Sequence, residues 1–314
     1  MNLIDFNKKF PNEDACIAYF KTKREAHGLV CPKCGCIHHK WKSYRNQWEC
    51  KQCGYRTGLK AGTVMHSSKL PLITWFTAIH LITSTKKSFS AAELQRQLGI
   101  ACYQTVWEML HKIRNVMGQR DSQYKLNGAI ELDDAFFTIS LNDEDRNEPL
   151  KRGRGTQRKA KVLVIAESQQ SEKIDNRKKV QKIVNHIKMI VIDDFKAPTL
   201  DAQVIKWINN NAELTTDDSK SYINFRNLVK SHTSQVVEPK NISKVLPWVH
   251  IVISNAKRLL LDIHHDIRPE FLQSYLDEFC YKFNRRKLNV FERLMYTCIE
   301  HQTQFKHKVY NKCV

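Results

Sequence analysis

The chain has 314 residues, 42% of them hydrophobic, and its 51 Lys and Arg outnumber its 32 Asp and Glu to give a formal net charge of +19. That length allows two or three domains and at least one sizeable core. The charge, with a pI of about 9.5, fits a polyanionic partner and points to nucleic acid before lipid. The opening MNLIDFNKKF has no apolar signal region, and the most apolar stretch, Leu70 to Thr83, is too short and too interrupted to span a bilayer. The expectation is a cytoplasmic, nucleoid-associated protein with no membrane partner and with its ten cysteines reduced.

Residues 1–25 read as a helical lead-in, because NEDACIAYFKTKR repeats its apolar residues at helical spacing. Next come Cys31 and Cys34 in CPKC, then Cys50 and Cys53 in CKQC, the pattern C-x2-C-x15-C-x2-C. Four thiolates so spaced predict a tetrahedral zinc site in a small ribbon that folds around its metal. Cys36 and the His38–His39 pair lie between the two cysteine pairs and are left over once four ligands are counted. Trp41, Trp48 and Tyr55 either cover the zinc site or lie along a phosphate backbone, and the sequence does not choose between the two.

Residues 71–118 read as helices. PLITWFTAIHLIT opens on a proline suited to a first turn. In SFSAAELQRQLGI, Ser90 or Ser88 can cap a short helix and Gly99 can end it. ACYQTVWEMLHKIRNVMGQR then puts Val106, Leu110, Ile113 and Met117 on one face. Helix, short helix, glycine turn and longer helix make a helix-turn-helix pattern, with Tyr103, Gln104 and Thr105 as candidate base readers at the start of the last helix. The competing reading is a plain three-helix bundle.

From residue 124 the rhythm changes to strands, GAIELDDAFFTI, KVLVIAE and HIKMIVIDDF, followed by a helix over 202–209, a short strand over 214–218, and helices over 246–261 and 269–283. The polar stretch 142–158 between the first two strands reads as a loop; Lys151, Arg152, Arg154 and Arg158 make it a candidate DNA-backbone contact. Strands followed by alternation with helices define an α/β domain. The expected organisation is a lead-in and ribbon over 1–66, a helix-turn-helix region over 67–123, a catalytic domain over 124–290 and a tail over 291–314.

Two acids end strands, Asp133 in IELDDAFF and Asp217 in LTTDDSKSY. Such carboxylates suit Mg²⁺ or Mn²⁺ if their strands are neighbours. Aspartates also end strands simply as turn formers.

The chain resembles bacterial insertion-sequence transposases with an N-terminal zinc ribbon and a DDE-type, ribonuclease-H-like catalytic domain. The resemblance rests on CPKCGC…WECKQCGYRTGLKAGTVMHSSKLPLITWF, IELDDAFF, TDDSKSY and HIVISNAKRLLLDIHH…YLDEFCYKFNRR. It implies a metal-dependent polynucleotidyl transferase that binds double-stranded DNA at element ends and target as a homo-oligomer, cutting at the ends and joining them to the target. By position it makes Asp133 and Asp217 the first two carboxylates, with Asp134 in the place where the family often has a second acid, and gives Lys257 a phosphate near the cut. The third position departs from the plain pattern, because no glutamate lies between Pro247 and Leu261. His250 and Asn255 are the two candidates. His250 shares a helical face with Lys257 seven residues on, which favours it over Asn255. The missing carboxylate also sustains an alternative: a zinc-dependent DNA-binding regulator, or a domesticated, inactive transposase. A host nuclease of the junction-resolving kind is a third reading.

Overall fold

The computed structural model describes residues 1–141, 149, 156–170, 182–235, 246–264, 266–303 and 305. The chain divides into two compact units, residues 1–120 with 285–314, and residues 121–284.

The first unit opens with helices α1 (Leu3–Lys9) and α2 (Glu13–His27), each started by an asparagine whose side chain accepts a backbone N–H of the first turn. The lead-in is therefore two helices, parted at Phe10–Asn12. A three-stranded antiparallel ribbon follows, β1 (His39–Lys42), β2 (Gln47–Cys50) and β3 (Arg56–Gly58). It is tied to α2 by Trp48 Nε1 donating to Glu25 Oε1 at 3.0 Å and by Arg24 donating to Leu59 O at 3.1 Å. Then come α3 (Leu72–Ser84), α4 (Ala91–Leu98) and α5 (Tyr103–Asp121). Ser90 caps α4 by accepting Glu93 N at 3.0 Å, and Gly99 ends it at φ +63, as the sequence predicts. Val106, Leu110, Ile113 and Met117 are all buried.

The segment read as a tail from 291 onward contains the helix Val290–Glu300, which packs on α2 and α3 within this unit. Its Phe291, Leu294 and Met295 are buried, and Phe291 meets Phe6 and Phe10 at centroid distances of 5.9 Å. The periodicity is plain once the partner is known; its distance along the chain from that partner hid it.

The second unit holds a five-stranded mixed sheet, β4 (Ala129–Thr138), β5 (Lys159–Gln170), β6 (Lys182–Ile192), β7 (Glu213–Asp217) and β8 (Ser231–Gln235), in the order β6-β5-β4-β7-β8. The first three strands run antiparallel; β7 pairs parallel with β4, and β8 parallel with β7. Helix α6 (Ala197–Trp207) covers one face, where Leu200 and Val204 meet Ile130, Leu132, Leu163 and Leu214. Helices α7 (Pro247–Ile263) and α8 (Pro269–Asn284) cover the other, through Val249, Val252, Ala256, Leu272 and Leu276 against Ala135, Phe137, Val162 and Val164. Side chains alternate across a strand. So on β4 the even positions face α6 and the odd ones, Asp133 among them, face α7. With α8 assigned, the helix Val290–Glu300 of the first unit is α9. Strand β8, SHTSQ, is mostly exposed and polar. It has no hydrophobic period; backbone pairing with β7 defines it, together with His232, whose Nε2 lies 2.9 Å from Thr216 Oγ1 and whose ring meets Phe225.

Candidate functional site

The ribbon brings the four predicted cysteines together. One sulfur from each of Cys31, Cys34, Cys50 and Cys53 lies within 4.8 Å of the others, with Cys31–Cys53 and Cys34–Cys50 Sγ separations of 3.6 Å. A tetrahedral zinc with bonds of about 2.3 Å needs sulfurs about 3.8 Å apart, so the spacing fits. Each knuckle turns on a glycine in the left-handed region, Gly35 at φ +73 and Gly54 at φ +68, whose N–H reaches back to Cys31 O and Cys50 O at 2.9 and 3.0 Å. The Cys50 thiol is held down at about 6, first by the backbone N–H of Cys53, so that it is ready to bind as thiolate. Cys36 is outside the cluster and its sulfur accepts His38 N at 3.3 Å. Trp48 is buried, with its ring centroid 4.9 Å from that of Trp41 at a tilt of 59°, whereas Tyr55 is exposed.

In the second unit the sheet register explains the acid site. The parallel ladder pairs Ala129 with Glu213, Ile130 with Leu214 and Glu131 with Thr215, and then stops. Two residues further along each strand stand Asp133 and Asp217, on the same face and about one strand spacing apart. The carboxylates of Asp133, Asp134 and Asp217 each offer an oxygen within 4.8 Å of the others. Asp134 lies on the opposite pleat, yet its backbone N–H donates to Asp133 Oδ1 at 2.9 Å. Asp133 is pushed up to about 7, first by burial and then by repulsion from Asp134, with Asp217 adding and Lys257 opposing. Three oxygen donors that repel one another in a half-dry cleft are the donor set of a hard divalent cation.

Helix α7 brings His250 to this cluster, its Nδ1 3.5 Å from Asp133 Oδ2. Burial lowers the imidazole pKa, with Asp217 acting in the opposite sense. Lys257, two turns on, lies 5.7 Å over the Phe137 ring and lowers the pKa of Asp133. Asn255 is exposed on α7, away from the face that meets the sheet. The geometry thus gathers His250 and Lys257 with the acids and leaves Asn255 out.

The base-reader candidates fare differently. Tyr103 is exposed, but Gln104 and Thr105 are half-buried in a cleft of about 490 Å³ with Ser68, Lys69, Leu70 and Trp75. Beyond Tyr103 no residue of α5 is fully exposed. The apolar side of α5, from Val106 to Met117, is buried in the core of the unit. The solvent-facing positions are on α4, at Ala92, Arg96 and Gln97. Of the predicted loop cations, Arg158 is exposed, and Lys151, Arg152 and Arg154 lie outside the described residues. No helix among the described residues is long and apolar enough to cross a membrane.

A cysteine ribbon together with a carboxylate cluster on neighbouring parallel strands defines a protein with a structural metal module and a candidate metal-dependent centre. Two family descriptions match the chain: an ISXO2-like transposase domain over residues 125–284, and a transposase zinc-ribbon domain over residues 11–56. The first spans half the chain, and the protein belongs to the ISXO2-like transposase family. No curated protein matches it. Among solved structures it is similar to a pre-cleavage Mos1 transpososome (10% identity, 74% of this chain and 79% of that one, TM-score 0.29) and to a Mos1 transposase paired-end complex with left transposon end (11%, 72% and 78%, 0.29). It is also similar to the Mos1 strand transfer complex (14%, 74% and 78%, 0.26). Likenesses at that level carry no argument about this chain.

Proposed function

We propose that the protein binds the terminal inverted repeats of its insertion sequence and catalyses metal-dependent cleavage and strand transfer into target DNA, as a homo-oligomer that holds two ends. The observation that carries this reading is the cluster of Asp133, Asp134 and Asp217 carboxylates, with His250 and Lys257 of α7 brought beside Asp133. Asp133 and Asp217 hold Mg²⁺ or Mn²⁺, with Asp134 beside them and a neutral His250 as the third member. When bound, such a cation neutralises charge at a phosphate and lowers the pKa of a coordinated water or hydroxyl. Lys257 binds a phosphate oxygen next to the cut, its ammonium kept near the cleft by the Phe137 ring. The strand order β6-β5-β4-β7-β8, with Asp217 ending β7 and Asp133 midway along the adjacent parallel β4 rather than at its end as the sequence suggested, supports a ribonuclease-H-like reading of the unit. The net charge of +19 supplies the sequence-independent part of DNA binding. Within the first unit we assign end recognition to the ribbon, Tyr103 and the exposed face of α4.

The test is a cleavage and joining assay in Mg²⁺ or Mn²⁺ on duplex oligonucleotides taken from the DNA flanking the gene. End-specific nicking and joining, lost in Asp217→Asn, is the expected result. Specific binding with no cutting by the wild-type protein refutes the catalytic reading and favours a DNA-binding regulator, a reading that the histidine standing in place of an acid at position 250 would then explain.

A further inference from the structure

Helix α7 starts without a cap of its own. Leu246 stands at its N-cap position and makes no side-chain hydrogen bond, and Pro247 follows. The amide N–H groups of a helix's first turn have no intrahelical acceptor and need one from elsewhere. Here Trp248 N donates to Glu131 Oε2 at 2.8 Å, and Val249 N donates to the same oxygen at 3.0 Å. A carboxylate holding two such N–H groups is charge-assisted and lies favourably in the helix dipole. Glu131 precedes Asp133 by two residues on β4, so both leave the same face of the sheet. The residue after Val249 is His250, whose imidazole faces Asp133 at 3.5 Å. One short piece of strand therefore carries both the anchor of the helix and the acid that the helix's histidine meets.

We propose that Glu131 is a positioning residue for the acidic centre: it pins the first turn of α7 to β4 and so sets His250 against Asp133. This rests on the reading of His250 as the third member of the site. The remainder of α7 is held independently, since Val252, Ile253, Ala256 and Leu260 are buried against the sheet and α8. Loss of Glu131 should then loosen the first turn without unfolding the unit. The first unit has the same device on residues outside the acidic cluster. There α3 begins after Pro71, with no side-chain cap, and Leu72 N and Ile73 N donate to the two carboxylate oxygens of Glu13 at 2.8 Å each. Glu13 is the internal control for a glutamate that only caps.

The experiment uses the full zinc-loaded chain and four variants, Glu131→Ala, Glu131→Gln, His250→Ala and Glu13→Ala, with the double variant of the first and third. The His250 ring resonances are followed by NMR without divalent cation, and Mn²⁺ alone is titrated by calorimetry. Expected are displaced His250 ring shifts in Glu131→Ala and near-native shifts in Glu131→Gln, whose amide oxygen still accepts both N–H groups. Mn²⁺ affinity should fall about tenfold in Glu131→Ala. It should fall little further when Glu131→Ala is added to His250→Ala, and Glu13→Ala should leave it unchanged. Unmoved His250 resonances in Glu131→Ala overturn the proposal, as does an equal loss of affinity in the presence and absence of His250. If the resonances move but His250→Ala leaves Mn²⁺ affinity intact, Glu131 still positions His250, and it is His250's part in metal binding that falls.

Discussion

Asp133→Asn should stabilise the metal-free protein. The ordinary value for this carboxyl is 3.8, and the fold raises it to about 7, first by burial and then by repulsion from Asp134. The ionised form is thus the disfavoured one in the folded state. Below about pH 4 both states are protonated and the penalty vanishes; it grows as pH rises between 3.8 and 7 and is complete by pH 8. A gap of about three pH units at about 1.4 kcal/mol each gives a ceiling of about 4 kcal/mol. Water entering the cleft screens part of it, and about 2 kcal/mol is the reasonable expectation. Asparagine removes the charge, keeps the shape, and still offers Oδ1 to the Asp134 N–H now bonded at 2.9 Å. For a unit of this size, 2 kcal/mol is about 4–8 °C in Tm. Differential scanning calorimetry in chelator should show that rise at pH 8 and most of it gone at pH 4.5. Adding Mn²⁺ should reverse the order, stabilising the wild-type protein alone. A Tm that is unchanged or lower at pH 8, or a gain equal at the two pH values, refutes the electrostatic account of the site.

Other perturbations separate the parts of the molecule. Cys50→Ser should remove one zinc per chain by atomic absorption and red-shift the emission of the buried Trp48, because the four thiolates close the two knuckles on each other through the metal. Leu294→Ala should cost about 2–5 kcal/mol in denaturant unfolding, since that side chain is fully buried; a free tail would give no change. Arg158→Ala should weaken DNA binding equally for all sequences and flatten the plot of log affinity against log salt by about one contact. An unchanged slope would remove Arg158 from the interface.

The zinc ribbon was legible in the sequence because its determinants are local: four cysteines at fixed spacing and a glycine after each pair. The strands of the sheet were legible where a core face imposes period two, as in β4 and β5. Strand β8 was not, because an exposed polar edge strand is defined chiefly by main-chain pairing, which carries no period in the sequence. Helix α9 was set aside as tail because its partners lie over 200 residues earlier in the chain. Tyr103, Gln104 and Thr105 came from a pattern that fixes helix order but not which faces are covered, and the exposure of Tyr103 beside the half-buried Gln104 and Thr105 is a tertiary fact. Glu131 escaped notice for a different reason. A glutamate on a strand looks like a solvent-facing residue until the uncapped start of α7 is placed above it.

The absence of an acid at position 250 takes on a physical sense in this geometry. Asp133 is already raised to about 7 by burial and by its two acidic neighbours. A further carboxylate at position 250, within 3.5 Å of Asp133, would add a like charge where the existing three are hard to keep ionised together. An imidazole held neutral by burial offers a lone pair at that point and no charge. The cluster keeps three carboxylates because Asp134 supplies one from the strand itself. On this argument His250→Glu would restore the usual acid in name only. Unless Asp134→Asn accompanies it, the fourth negative charge should raise Asp133 further and weaken, rather than strengthen, Mn²⁺ binding near neutral pH. Calorimetric titration of the single and double variants checks this directly, and a single variant that binds Mn²⁺ more tightly than the wild-type protein at pH 7 would show that the count of acids, and not their mutual repulsion, governs the site.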